Sequence, residues 1–182
     1  MIKEPSLDNI EIILSHTSEP QNIGSTARAM KTMGLNKLTL INPVQPKGPR
    51  AKALAHNAED VLLNARVVKT LPEAIGHMIV VGGTTARSRK LRKEALLTPE
   101  EMAKKLVTHS IDGPVGLFFG TERNGMDNDE VYACRYMSTI DTSDEHSSLN
   151  LSQAVMLFSW EIRKAFLDIT GARKEPSSPP EM

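Results

Sequence analysis

The sequence has little with which to fasten itself covalently or to leave the aqueous phase. Cys134 is the only cysteine, so no intramolecular disulfide and no cysteine-rich zinc site can form. A reducing, cytoplasmic setting is therefore expected. No stretch approaches about 18 consecutive apolar residues, and the N-terminus lacks the apolar run of a signal peptide, which argues against a membrane association. His16, His56, His77, His109 and His146 are scattered without H-E-x-x-H or comparable spacing, so no metal is expected. G-x-G-x-x-G and G-x-x-x-x-G-K-[ST] are missing, which argues against classical dinucleotide and P-loop sites. His146 has no G-x-S-x-G nucleophile elbow to serve. Nor is there an excess of charge: 22 basic residues balance 22 acidic ones, so any nucleic-acid affinity must come from local placement.

What is present suits one domain. A chain of 182 residues buries roughly 70% of its extended surface. Apolar runs at Ile10–Leu14, Lys37–Ile41, Met78–Gly83 and Val115–Gly120 read as strands, with shorter ones in ARVVK and at Met137–Ile140. Helical patterns fall at about 23–33, 51–63, 71–76, 99–107 and from Ser148 or Asn150 to about Leu167. Alternation of strands and helices predicts an α/β protein with a mainly parallel sheet. The proline- and serine-rich end has no core-forming content.

Three loop-to-helix junctions carry polar chemistry. In SEPQNIGSTAR, Asn22 or Ser18 can cap a helix, Gly24 permits close approach of a backbone or a ligand, and Arg28 lies one turn further on the face of Gly24. An arginine there suits a phosphate, though an ordinary capped helix would look the same. FFGTERNG places Gly120, Glu122 and Gly125 directly after a buried strand. Glu122 can accept hydrogen bonds from an arginine or hydroxyl, or form a structural ion pair within the turn. DEHSSLNLSQA crowds Ser148, Leu149 and Asn150 before a helix, as a ligand wall or an elaborate cap. A fourth stretch, GGTTARSRKLRK, sets Gly82 and Gly83 at a strand end before the basic run Arg87, Arg89, Lys90, Arg92 and Lys93. That run fits phosphate contacts along an RNA strand or a merely solvated loop.

Together these segments resemble the signature of the SPOUT superfamily, and within it the TrmH-like RNA ribose 2'-O-methyltransferases. The matching patterns are N-x-G-x-x-x-R at Asn22, Gly24 and Arg28, F-G-x-E-x-x-G from Phe119 to Gly125, and S-L-N-x-S-x-A from Ser148 to Ala154. They occur in the family's order, and the resemblance covers about residues 8 to 168. HTSEPQNIGSTARAMKTMGLNKLTLINP, TTARSR and EHSSLNLSQAV are similar to the branch acting on nucleotide 32 of the tRNA anticodon loop. The alternatives within the family are ribosomal RNA and tRNA nucleotide 34; outside it, a non-catalytic RNA-binding module.

The resemblance implies a Rossmann-like sheet flanked by helices, with a C-terminal deep trefoil knot, in a catalytic domain spanning 1–168. Residues 169–182 would be a flexible tail, or the start of a truncated extension. It implies S-adenosylmethionine as cofactor, contacted by Gly82, Gly83, Thr84 and Gly120 and by Glu122, Ile140, Ser148 and Leu149. Arg28 would be the central catalytic residue, with Asn22 positioning it or the target nucleotide, Glu122 orienting it, and Ser148 and Asn150 shaping the pocket. Arg28 and the 87–93 basic run would hold tRNA. A homodimer would bring motif-one residues near the partner's cofactor loops.

Overall fold

The computed structural model describes residues 3–86 and 96–173. Strand β1 (Ile10–Ser15) is buried along its whole length, as an apolar run must be when helices cover both faces of a parallel sheet. It lies in the interior of a six-stranded sheet with β2 (Lys37–Ile41), β3 (Arg66–Val68), β4 (Val80–Thr84), β5 (Val115–Phe119) and β6 (Tyr136–Ser138). All pairings are parallel, in the order β3-β2-β1-β5-β4-β6.

The period-two alternation of strand side chains divides the core. Ile10, Ile12 and Leu14 face one side, where α1 (Pro20–Thr32), α2 (Pro49–Ala55), α3 (Glu59–Leu63), α5 (Pro99–His109) and α7 (Leu151–Thr170) pack. Ile13 and Phe118 face the other, beneath α4 (Leu71–Ile75) and α6 (Asn128–Ala133). From β1 the chain winds outward through β2 and β3, and the second half builds β5, β4 and β6 on the opposite flank. The helix after β1 and the helix after β5 therefore leave on different faces, opening a crevice at the strands' C-terminal ends. No helix among the described residues is long and apolar enough to cross a membrane.

Several sequence expectations shift. Helix α1 starts at Pro20 and not near Ile23, because proline at the first position is pre-set for helix and needs no donor. Asn22 thus lies in the first turn, and neither it nor Ser18 is the cap; that residue is Glu19, without a side-chain bond. The helix expected over 51–63 is broken by His56 and Asn57, whose φ values of 26° and 64° are left-handed. Strand β6 begins one residue early and ends at Ser138, which leaves Ile140 in a loop. Helix α6 was not expected. Its D-x-x-E capping box, Asp127 with Glu130, is in the sequence, but the helix it starts is only six residues long and shows no clear apolar period.

Gly24 has a steric reason. A Cβ built on it would lie 2.0 Å from the Ala51 carbonyl oxygen, so the bare backbone lets α1 and α2 touch. Lys31, near the end of α1, also holds Asp60 of α3 at 2.7 Å and lowers its carboxyl pKa through that hydrogen bond. This contribution is present above the unfolded carboxyl's pKa and is lost as pH falls through the folded one. Gly24→Ala is expected to destabilise the protein by roughly 3 kcal/mol, the upper range of overpacking, in urea unfolding without any ligand present.

Candidate functional site

Three loops leave the C-terminal ends of β4, β5 and β6 and converge on a cleft of about 220 Å³. Its lining includes Thr84 and Thr85 after β4, Gly120 to Gly125 after β5, and Ile140, Thr142 and Ser147 to Leu149 after β6. Phe119, Leu151 and Phe158 close its apolar side. The middle loop is shaped by glycine at two points. A Cβ on Gly120 would sit 2.2 Å from the Gly125 carbonyl carbon, while Gly125 itself has φ of +68°. That close approach lets Thr121 and Gly125 exchange two backbone hydrogen bonds of 3.0 Å, pinching the turn that projects Glu122.

Glu122 reaches across the crevice to the start of α1. Its carboxylate accepts from Asn22 Nδ2 at 3.2 Å and, more weakly, from the backbone amides of Ser18 and Glu19 at 3.4 Å. Asn22 Oδ1 in turn accepts from Asn150 Nδ2 at 2.9 Å, and Asn150 Oδ1 accepts from the Ser152 amide at 2.9 Å. Both amide orientations follow from the ends of this relay: a carboxylate only accepts and a backbone N–H only donates. Asn150 is also the N-cap of α7, in a capping box with Gln153. One residue from each of the three junctions thus belongs to a single network.

Of the residues expected from sequence, Thr84, Gly120, Glu122, Ile140, Ser148 and Leu149 all line the cleft. Asn22 and Asn150 stand beside it through Glu122. Gly82 and Gly83 do not line it. Their missing side chains admit packing: a Cβ on Gly82 would lie 2.5 Å from the Met102 sulfur, and one on Gly83 2.7 Å from that of Met137. Arg28 is exposed on α1, outside the cleft lining, and its guanidinium has no hydrogen bond or ion pair among the described residues. Among the described residues Glu122 bonds to Asn22 and the α1 start, and makes no ion pair with Arg28 or Arg123. Arg87, Arg89, Lys90, Arg92 and Lys93 lie outside the described residues. Thr85, Thr142 and Phe158 were not anticipated; nothing local marks them, since they meet only through the folding of distant loops. Among the described residues no group of three or more His, Cys, Asp or Glu is placed to hold a metal ion.

The relay makes Asn22 sensitive to chemistry more than to size. Asn22→Ala removes two partly exposed hydrogen bonds and should cost about 1–2 kcal/mol. Asn22→Asp has nearly the same shape but sets a like charge against Glu122 and cannot donate to it, so it should unfold at lower urea than the alanine variant at neutral pH. Side-by-side urea titrations check this.

The same sheet and loops occur in known proteins. The model of the SpoU rRNA Methylase family matches residues 9–160. The chain is 47% identical over 161 residues to a Citrobacter koseri protein named tRNA (cytidine/uridine-2'-O-)-methyltransferase TrmJ, covering 88% of this chain and 66% of that one, just under two thirds of the relative's length. A probable methylase family protein from Haemophilus influenzae superposes with a TM-score of 0.85 at 43% identity, covering 91% of this chain and 68% of that one. TrmJ from Z. mobilis superposes at 0.78 with 38% identity, over 93% and 72%. The matched span contains the whole sheet, the cleft and the relay that joins α1, the turn after β5 and α7, and the chain belongs to the SpoU methylase family.

Proposed function

We propose that this chain transfers the methyl group of S-adenosylmethionine to a ribose 2'-hydroxyl of tRNA, at nucleotide 32 of the anticodon loop. The observation that carries the reading is the cleft at the C-terminal ends of β4, β5 and β6, with its lining residue Glu122 bonded through Asn22 to Asn150 beside it. The tRNA substrate is drawn from the relatives whose names state that activity. The target nucleotide is drawn from the resemblance carried by the β1–α1, TTARSR and EHSSLNLSQAV segments.

The cleft suits S-adenosylmethionine. Its walls combine apolar side chains, Phe119, Ile140 and Leu149, with the polar backbone of the 120–125 turn. Thr84 already donates its hydroxyl to the Phe118 carbonyl at 3.0 Å, so it offers a ligand backbone groups and oxygen lone pairs. When bound, the cofactor supplies a sulfonium methyl as electrophile. The protein's work is then to hold the ribose oxygen in line and favour loss of its proton. Arg28 does this electrostatically: a guanidinium resists deprotonation, but it stabilises negative charge growing on oxygen. Its lack of a partner among the described residues leaves it free to meet RNA.

In this reading the enzyme is a cytoplasmic homodimer in which Arg28 of each α1 serves the cleft of the partner subunit. The exposed Leu157 and Trp160 on α7 suit such pairing. The reading includes a deep trefoil knot in the C-terminal half; the convergence of the loops after β4, β5 and β6 on one cleft supports it. Residues 1–168 form the catalytic domain. A second reading keeps the reaction and exchanges the substrate for ribosomal RNA, as the family's description suggests.

Incubation with labelled S-adenosylmethionine and unmodified tRNA, followed by nuclease mapping, is expected to find a 2'-O-methyl at nucleotide 32. Label on ribosomal RNA alone would favour the second reading, and cofactor binding without transfer to any RNA would overturn both. Arg28→Ala should lower turnover by about a hundredfold or more while keeping cofactor affinity. Neutralising Arg87, Arg89, Lys90, Arg92 and Lys93 should flatten the salt dependence of tRNA binding, by about 0.7–0.9 in log–log slope for each phosphate no longer neutralised; an unchanged slope removes them from the RNA surface.

A further inference from the structure

Glu130 is a carboxylate the mechanism above does not use, and it is only 6% exposed. Burying a carboxylate is costly unless its oxygens are bonded, and both are. One accepts from Ser15 Oγ, itself fully buried at the end of β1, and the other accepts from the Asp127 amide at 2.8 Å. Because the Ser15 hydroxyl donates its hydrogen bond to the carboxylate, Ser15 Oγ accepts from His16 Nδ1 at 2.8 Å. His16 Nε2 is then the acceptor for Asn42 Nδ2 at 3.3 Å, whose second hydrogen goes to the Lys69 carbonyl at 2.8 Å. His16 and Asn42 both have positive φ, 50° and 44°. Such backbone is held only where its surroundings over-determine it.

The position of this network gives it a consequence at the cleft. Asp127 and Glu130 follow directly on the turn that Thr121 and Gly125 close, so fixing Glu130 fixes one stem of that turn. The same β1–α1 connection that offers Ser15 also receives Glu122 at Ser18, Glu19 and Asn22. The segment 120–130 is therefore clamped to the β1–α1 connection at two places: by Glu122 at the mouth and by Glu130 at the root.

We propose that Glu130 is a positioning residue for the cofactor cleft, acting through Ser15 to hold the root of the 120–125 turn so that Glu122 and Gly120 keep their places. The inference rests on the reading that S-adenosylmethionine occupies this cleft.

The test is calorimetric titration of S-adenosylmethionine into Glu130→Ala and Ser15→Ala at a temperature where circular dichroism shows each variant folded, with KM for tRNA measured alongside. The control variant is His77→Ala, which removes the 2.7 Å partner of Glu11 away from the cleft. Glu130→Ala is expected to weaken cofactor binding about tenfold and Ser15→Ala about threefold, with KM for tRNA within twofold of the parent. His77→Ala should lower the melting temperature and leave cofactor binding unchanged. Cofactor affinity within twofold of the parent in folded Glu130→Ala would overturn the proposal and reduce the pair to fold stability. Should that variant not fold, parental affinity in Ser15→Ala overturns it equally. Failure of the parent protein itself to bind S-adenosylmethionine would refute the functional reading instead.

Discussion

A carboxylate that can only accept hydrogen bonds sets the arrangement at the mouth of the cleft. Glu122 demands donors, and the start of α1 offers them: a side-chain amide and two backbone N–H groups. Once Asn22 has turned its nitrogen to that carboxylate, its oxygen can only accept, which orients Asn150, and Asn150 in turn caps α7. The direction of the relay is thus imposed from one acidic residue outward. It joins the helix after β1, the turn after β5 and the helix after β6, although Asn22 and Glu122 stand 100 positions apart, without a covalent link or a metal among the described residues.

The sheet makes this relay possible. With order β3-β2-β1-β5-β4-β6, the connections after β1 and β5 diverge to opposite faces, and a gap at their shared edge is unavoidable. Side chains of the wrong length would leave that gap to water. Here Glu122 spans it near the surface and Glu130 deeper down, so the two strands' loops are tied together at two depths. Burial separates their roles: Glu130 is enclosed with a fully buried serine, while Glu122 is half-buried beside the open cleft.

Much of this was legible in the sequence, for identifiable reasons. Buried parallel strands are near-continuous apolar runs, so IEIIL, KLTLI and VGLFF stand out, and the fold class follows from their alternation with helical periods. Boundaries went astray where backbone chemistry outweighed periodicity: Pro20 advanced α1, and left-handed His56 and Asn57 cut a helix in two. Glycines were the least readable. At Gly120 the bare Cα serves a loop beside the cleft, whereas at Gly82 and Gly83 it makes room for Met102 and Met137. A sequence records the missing side chain but not which neighbour fills its space. Glu130 failed for the same reason: its partner Ser15 is 115 positions away, and an acidic stretch looks solvated until the fold encloses it.

The distribution of satisfied and unsatisfied groups separates scaffold from reactants. Asn22, Asn150 and Glu122 already bond to one another, and breaking those bonds to engage a substrate would open the mouth they define. In the proposed reaction their contribution is therefore geometric, through the mouth they hold. Arg28 is the opposite case: it is exposed, and its guanidinium is unpartnered among the described residues. A charge kept free on a helix whose first turn is so tightly held is positioned without being neutralised. In the proposed reaction that combination suits stabilising a transient negative charge, because an internal partner would first have to be displaced.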